Sequence, residues 1–300
     1  MRNHILSVLP IALGLAGAQA WGVQAAGAAA DDCKGPSTDC VAVGGWNFSV
    51  ALGAGAMTNP LVAGKPIPLV VVPQFSYYGK RFFIDDLDLG FTLAETGGNT
   101  FNLVASPGYD RVFFYRSDLQ NIFVRGFGGA GAYTLPIRAE PNTPGAVQVA
   151  PRPRHVTYLA GPEWTFKNGG VTAQIDVLHE ITGQNHGNEV RAAVGVPLLE
   201  RKGTLTANFG VTWKSADIVN YYYGATTYYG AGTYYGASTI YRAGSALDPF
   251  FKLGYTLPLS GKWRFYAFAE YERLADAIAD SPLVAERYVA TSFIGAIYSF

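Results

Sequence analysis

The densest group of reactive side chains in this sequence is Asp176, His179, Glu180 and His186. An imidazole beside a carboxylate can serve general acid–base chemistry, with a second carboxylate to orient the ring. A catalytic set also needs a nucleophile or a bound electrophile, and the chain has no GxSxG elbow, Walker A loop or HExxH helix. The group therefore reads first as solvated loop and lumen side chains. Asp85-Asp86-Leu87-Asp88 offers carboxylates to calcium but lacks the EF-hand spacing, so it reads as a turn or lumen charge run. Gly126-Phe127-Gly128-Gly129-Ala130-Gly131 matches GxGxxG in a glycine-rich strand pattern with no helix behind it to hold a phosphate. No catalytic residue, metal site or cofactor is expected.

Cys33 and Cys40, the only cysteines, enclose a short loop holding Gly35, Pro36 and Ser37. A metal pair would need two further ligands that nothing nearby supplies, whereas an oxidising compartment lets the two thiols join. The N-terminus supplies that compartment. Arg2 precedes an apolar run over 5–17, and Ala18-Gln19-Ala20 has the small-x-small pattern of a signal-peptidase site. The expected organisation is a signal peptide over 1–20, cut after Ala20 or as late as Ala30. A leader over 21–45 carries Cys33 and Cys40, and a barrel occupies 46–300.

The elements that must position these groups are strands. Lysine plus arginine equals aspartate plus glutamate at 22 each, so the charge gives no attraction to nucleic acid. After the signal no apolar stretch is long enough to cross a bilayer as a helix, yet aromatics make up 14% of the chain. An exported, aromatic-rich chain without helical spans suits a transmembrane β-barrel better than a secreted β-sandwich.

Period-two alternation supports this. Trp263, Phe265, Ala267, Ala269 and Tyr271 fall on one face, and Lys262, Arg264, Tyr266, Phe268, Glu270 and Glu272 on the other. Val190, Val194 and Val196 alternate with Glu189 and Arg191, and Leu205 to Trp213 alternate with Thr204 to Lys214. Charge confined to one face points into the lumen, because Arg or Lys facing lipid at mid-depth costs roughly 2–4 kcal/mol. Twelve strands are predicted, at 46–56, 67–78, 81–95, 100–110, 121–134, 155–167, 170–181, 187–199, 203–215, 247–258, 261–273 and 287–300. The expected fold is all-β, an antiparallel up-and-down barrel of about twelve strands.

With both chain ends periplasmic, 111–120 is predicted to be an inner turn, where Arg111, Arg116 and Asp118 could receive a partner. The prolines at 73, 107, 162 and 197 fall inside predicted strands and call for bulges. Tyr298 and Phe300 close the last strand with aromatic residues, the assembly signal of outer-membrane barrels. Tyr222-Tyr223-Gly224, Tyr228-Tyr229-Gly230 and Tyr234-Tyr235-Gly236 recur every six residues and can extend a hairpin beyond the membrane.

The order of these landmarks resembles the MltA-interacting protein (MipA/OmpV) family. It is carried by Gly53-Ala54-Gly55, Pro68 to Tyr77 before Gly79-Lys80-Arg81-Phe82-Phe83, His186-Gly187, Asn220-Tyr221-Tyr222-Tyr223-Gly224, Ser281-Pro282-Leu283-Val284 and Tyr298-Ser299-Phe300. The resemblance implies a non-enzymatic outer-membrane scaffold bridging a lytic transglycosylase and a penicillin-binding protein. Its other expected contacts are outer-membrane lipid and the barrel-insertion machinery. A small pore or a surface adhesin is the alternative.

Overall fold

The computed structural model of the protein describes residues 5–7, 40–42, 44–62, 64–114, 154–231 and 234–300. Twelve antiparallel strands close into one barrel. They are β1 (Trp46–Met57), β2 (Ile67–Tyr78), β3 (Phe82–Asp85), β4 (Asp88–Thr96), β5 (Asn99–Pro107), β6 (Tyr158–Asn168), β7 (Val171–Glu180), β8 (Asn188–Glu200), β9 (Thr204–Lys214), β10 (Ala246–Pro258), β11 (Trp263–Arg273) and β12 (Tyr288–Ser299). β12 pairs back onto β1, with Ser299 opposite Ser49, and closes the circle.

The alternation sorts side chains between two solvents. Phe48, Leu52, Leu93, Leu103, Val177, Phe209, Tyr271 and Ile294 are exposed on the outside, while Gln74, Asn102, Asp176, Arg191, Thr212, Lys252 and Glu270 are buried inside. Apolar-out and polar-in is the inverse of a soluble protein and is what lipid outside a barrel demands. Of the charges expected in the lumen, Glu189, Arg191, Lys214, Glu270 and Glu272 are buried there, as is Lys252, whereas Arg264 is half-buried and Lys262 is exposed in the tight turn.

The twelve are not quite the predicted twelve. The 81–95 segment is two strands, because the chain reverses at Asp86-Leu87. Asp86 takes a positive φ of 51° and its carboxylate accepts the Phe75 N–H at 2.8 Å. The predicted strand at 121–134 lies outside the described residues, and the barrel closes without it. The short β3 pairs with β2 only over 76–78. Among the described residues, 67–74 of β2 therefore have a strand on one side only.

That edge explains Pro73. Phe75 turns its N–H and its C=O toward β3. By alternation Pro73 faces the same way, where no ladder bond is required. Pro197 sits at the β8–β9 register shift, Pro107 ends β5, and Pro162 lies in a gap of the β6–β7 pairing between 160 and 163, with the register the same on both sides.

The reversal at 86–87 also changes which end 111–120 belongs to. Tight turns at 79–81, 97–98, 169–170, 201–203 and 259–262 share one end with Phe300, and the long connections share the other. Strand β5 now runs toward the long-loop end, so Arg111 emerges there and not among the tight turns. The inner-turn assignment of 111–120 is therefore corrected for its described part, and Arg116 and Asp118 lie outside the described residues. The 1–20 cut and Cys33 also lie outside them. Ile5–Ser7 pairs with Cys40–Ala42 apart from the barrel.

Candidate functional site

The described parts of the long connections fold back over their end of the barrel. α1 (Arg111–Phe114), α2 (Ala216–Tyr223) and α3 (Asp276–Ala279) bring Val112, Phe113, Ile218, Val219, Tyr222, Tyr223 and Ile278 into one apolar cluster with Met57 and Ile67 of the wall. Polar groups fasten the helices to one another. Asn59 Nδ2 donates to Phe113 O at 3.0 Å, Arg154 Nε to Tyr222 O at 2.8 Å, and Ser281 Oγ to Tyr223 O at 2.6 Å. The Arg154 guanidinium stacks 3.9 Å from the Phe114 ring centre. Burial pushes the Tyr222 and Tyr223 phenols up, so both stay neutral and can donate.

One buried ion cluster ties this lid to the wall. Lys214 Nζ of β9 lies 2.9 Å from Asp110 Oδ1 in the β5–α1 connection and 3.5 Å from Asp248 Oδ2 of β10. Tyr223 Oη donates to the same Asp110 oxygen at 3.2 Å. A cavity of about 10 Å³ lies beside it, lined by Tyr109, Asp110, Thr157, Glu189, Lys214 and Tyr222, with room for roughly one water.

Below the lid the lumen has two unlike sectors. Over β1, β2, β11 and β12 it is filled by Ala51, Leu69, Val72, Tyr266, Phe268, Phe293 and Ile297. The Phe293 ring can lie across β1 because Gly53 and Gly55 face it; a Cβ on Gly53 would stand 2.7 Å from that ring. Tyr266 and Phe268, expected in the lumen, are there and pack with Phe293, while Lys252 Nζ lies 4.6 Å from the Phe268 ring centre.

Over β5 to β10 the wall is polar. A single row of directly opposite residues runs Asn102, Glu163, Asp176, Arg191, Thr212 and Asp248. Asn102 Nδ2 donates to Glu163 Oε1 at 2.6 Å, and Gln174 Nε2 donates to Glu163 Oε2 at 2.9 Å and to Asp176 Oδ1 at 3.0 Å. Arg191 Nε reaches Glu189 Oε1 at 2.6 Å, and Lys252 Nζ lies 3.5 Å from Glu270 Oε2. The sequence reading had Glu189, Arg191 and Asp176 but missed Glu163, Gln174 and Asn102. Their signal was available: each shares its strand's inward parity.

The structure does not assemble the histidine group. His179 is exposed on the outer face while Glu180, one residue on, is 1% exposed on the inner face. Glu180 instead clamps the β7–β8 loop, accepting the backbone N–H groups of Thr182, Gln184, Asn185 and His186 at 2.7–3.0 Å. Asp85 accepts from Tyr78 Oη, and among the described residues no three His, Cys, Asp or Glu side chains can share a metal ion. Tyr298 and Phe300 stack edge to face at 5.1 Å, and Phe300 N donates to Phe48 O. The tyrosine repeats divide: Tyr222-Tyr223 belong to α2, while Tyr228-Tyr229 and Tyr234-Tyr235 lie on a separate hairpin of Ala225–Ala231 with Tyr234–Tyr241.

At the tight-turn end Lys80, Arg81, Arg201, Lys202 and Lys262 are exposed, against Glu95 and Glu200. An aromatic belt borders them, with Trp46 5.9 Å from Phe48 and Trp263 4.9 Å from Tyr298. Such belts mark the headgroup level.

A family model described as MltA-interacting protein MipA matches residues 52–300. The MltA-interacting protein of Escherichia coli strain K12 is 30% identical over 97 residues, which cover 32% of this chain and 38% of that protein. The chain thus spans less than half the length of the MltA-interacting proteins it matches. A second relative in the same strain, YiaT, described as an outer-membrane protein, is 22% identical over 254 residues, 84% of this chain and 91% of its own. Among solved structures, the Pseudomonas putida toluene transporter TodX aligns over 86% of this chain and 89% of its own at 11% identity, with a TM-score of 0.38.

Proposed function

The chain belongs to the MltA-interacting protein MipA family of outer-membrane barrels, and on that premise we propose that it is a non-enzymatic scaffold for cell-wall enzymes. The partners are a lytic transglycosylase and a penicillin-binding protein, the first suggested by the name of the relative matched over 97 residues. Short turns face the periplasm in barrels of this kind, so partners meet the tight-turn end. The observation that carries the reading is the exposed basic set there, Lys80, Arg81, Arg201, Lys202 and Lys262, in a chain whose formal net charge is zero. Concentrated charge on one face steers association with a partner of opposite sign. The lid and the apolar lumen sector support a role in surfaces over one in transport.

Replacing all five cations by glutamine tests this. Capture of a lytic transglycosylase in a pull-down should fall at least tenfold at low salt, while the barrel still shifts on boiling in a gel. Unchanged capture removes the basic rim from the interface. The polar wall from Asn102 to Asp248 favours a pore as the second reading, and steady single-channel steps from the purified protein would transfer the case to it.

A further inference from the structure

We propose that the β2–β3 turn, Gly79-Lys80-Arg81, together with the aromatic rings around it, binds the headgroup of an anionic phospholipid in the leaflet at the tight-turn end. Lys80 and Arg81 are both exposed, and the run from Tyr77 to Ile84 holds no acid. Among the described residues neither cation has an ion-pair partner. Glu95, exposed on β4 at the same end, forms no ion pair with either. By contrast Arg287, also exposed but at the other end, is held by Asp276 at 2.7 Å and Asp280 at 2.5 Å. The turn thus carries two positive charges that nothing in the described protein balances, and their complement is an anion from outside.

The surroundings of the turn select the kind of anion. Trp46 is 53% exposed, and its ring lies 5.2 Å from Tyr77 and 5.9 Å from Phe48. The Tyr77 ring rests on the turn itself, where a Cβ on Gly79 would stand 3.3 Å from it. On the far side of the cations Phe82 is 44% exposed. Trp and Tyr in such a group settle at the headgroup level of a bilayer, with acyl chains on one side of the rings and water on the other. Lys80 and Arg81 leave the chain between these rings, which sets them at the depth of the lipid phosphates. There the Arg81 guanidinium can bond two phosphate oxygens at once, and Lys80 adds a point charge. A zwitterionic lipid brings its own ammonium group, which the two cations repel, so a headgroup of net negative charge fits better. This inference goes beyond the scaffold reading and does not need it, since no partner protein takes part.

The test uses the full mature barrel in phosphatidylcholine vesicles that contain a minor fraction of a lipid with brominated acyl chains, which quench nearby tryptophans. A variant that keeps Trp46 and carries phenylalanine at the other tryptophans reports the lipid beside the turn. Brominated phosphatidylglycerol should quench Trp46 as if enriched about fivefold over brominated phosphatidylcholine at the same fraction, and the enrichment should fall as salt rises. Lys80→Gln/Arg81→Gln should bring the two lipids to equal quenching. Lys65→Gln/Arg273→Gln, which removes the same charge from exposed positions at the other end, should keep the enrichment. If the single-tryptophan barrel fails to fold, native mass spectrometry of the chain with all its tryptophans counts the phosphatidylglycerol retained by the same double variants. Equal quenching by the two lipids before the cations are changed overturns the proposal and leaves the turn to a protein partner. Enrichment that survives Lys80→Gln/Arg81→Gln overturns it as well. So does an equal loss in both double variants, because the charge of the whole barrel, and not this turn, would then draw the lipid.

Discussion

Lysine at Ile175 and lysine at Gln174 place the same charge one residue apart in two different solvents. Ile175 is 41% exposed on the outer face of β7, and Gln174 is 6% exposed on the inner one. Five residues from the turn, at about 3.3 Å each and a tilt near 45°, put Ile175 about 12 Å deep, close to the middle of an apolar band about 25 Å tall. There Ile175→Lys costs roughly 2–4 kcal/mol. Gln174→Lys gives up two hydrogen bonds, to Glu163 at 2.9 Å and Asp176 at 3.0 Å, each with a net worth of about 1 kcal/mol. It gains two carboxylates as ion-pair partners that offset the cost of burying the ammonium, so its net effect should stay within about 1 kcal/mol. The difference between the variants is then at least about 1 kcal/mol, or roughly fivefold in the folding constant. Urea titration of the barrel in lipid vesicles, followed by tryptophan emission and by gel mobility, measures it. Equal midpoints, or a worse result for Gln174→Lys, would show that the face assignment of β7 is wrong.

Lys214→Met should cost about 3 kcal/mol by stranding Asp110 and Asp248, and should expose the lid to protease before the wall unfolds; adding Asp110→Asn should recover part of the loss. His179→Ala should leave stability unchanged, whereas Glu180→Gln should speed amide hydrogen exchange at Thr182, Gln184, Asn185 and His186, which share its carboxylate. Gly161→Val should cut the yield of folded barrel, since a Cβ there would stand 1.9 Å from the Val177 carbonyl oxygen across the β6–β7 pair. Tyr266→Arg should also be poorly tolerated although it faces the lumen, because its neighbours Phe268 and Phe293 offer a cation no carboxylate; urea midpoints beside those of Gln174→Lys decide this.

Lipid made much of the barrel legible. It admits apolar side chains at every second position and excludes charge from them, so Leu205 to Trp213 and Trp263 to Tyr271 could be assigned from parity alone. The lumen imposes no such single rule. It is apolar beside Phe293 and ionic beside Arg191, and which of the two a strand meets depends on its neighbours around the circle, which local sequence does not encode. Hence Glu163, Gln174 and Asn102 went unnoticed while the strands bearing them were found.

The misread reversal at 81–95 yields to the same rule that worked elsewhere. Adjacent residues of a strand face opposite sides, so Asp85 and Asp86 in one continuous strand would put a carboxylate into lipid. No glycine or proline announces the turn; Asp86 makes it by accepting φ 51° and bonding its carboxylate to Phe75 N–H. Two consecutive charges thus carried the turn signal that punctuation residues usually supply. The consequence reaches function, because one unrecognised reversal moved Arg111 from the tight-turn end to the lid and shifted the candidate partner surface to the cations of the remaining tight turns.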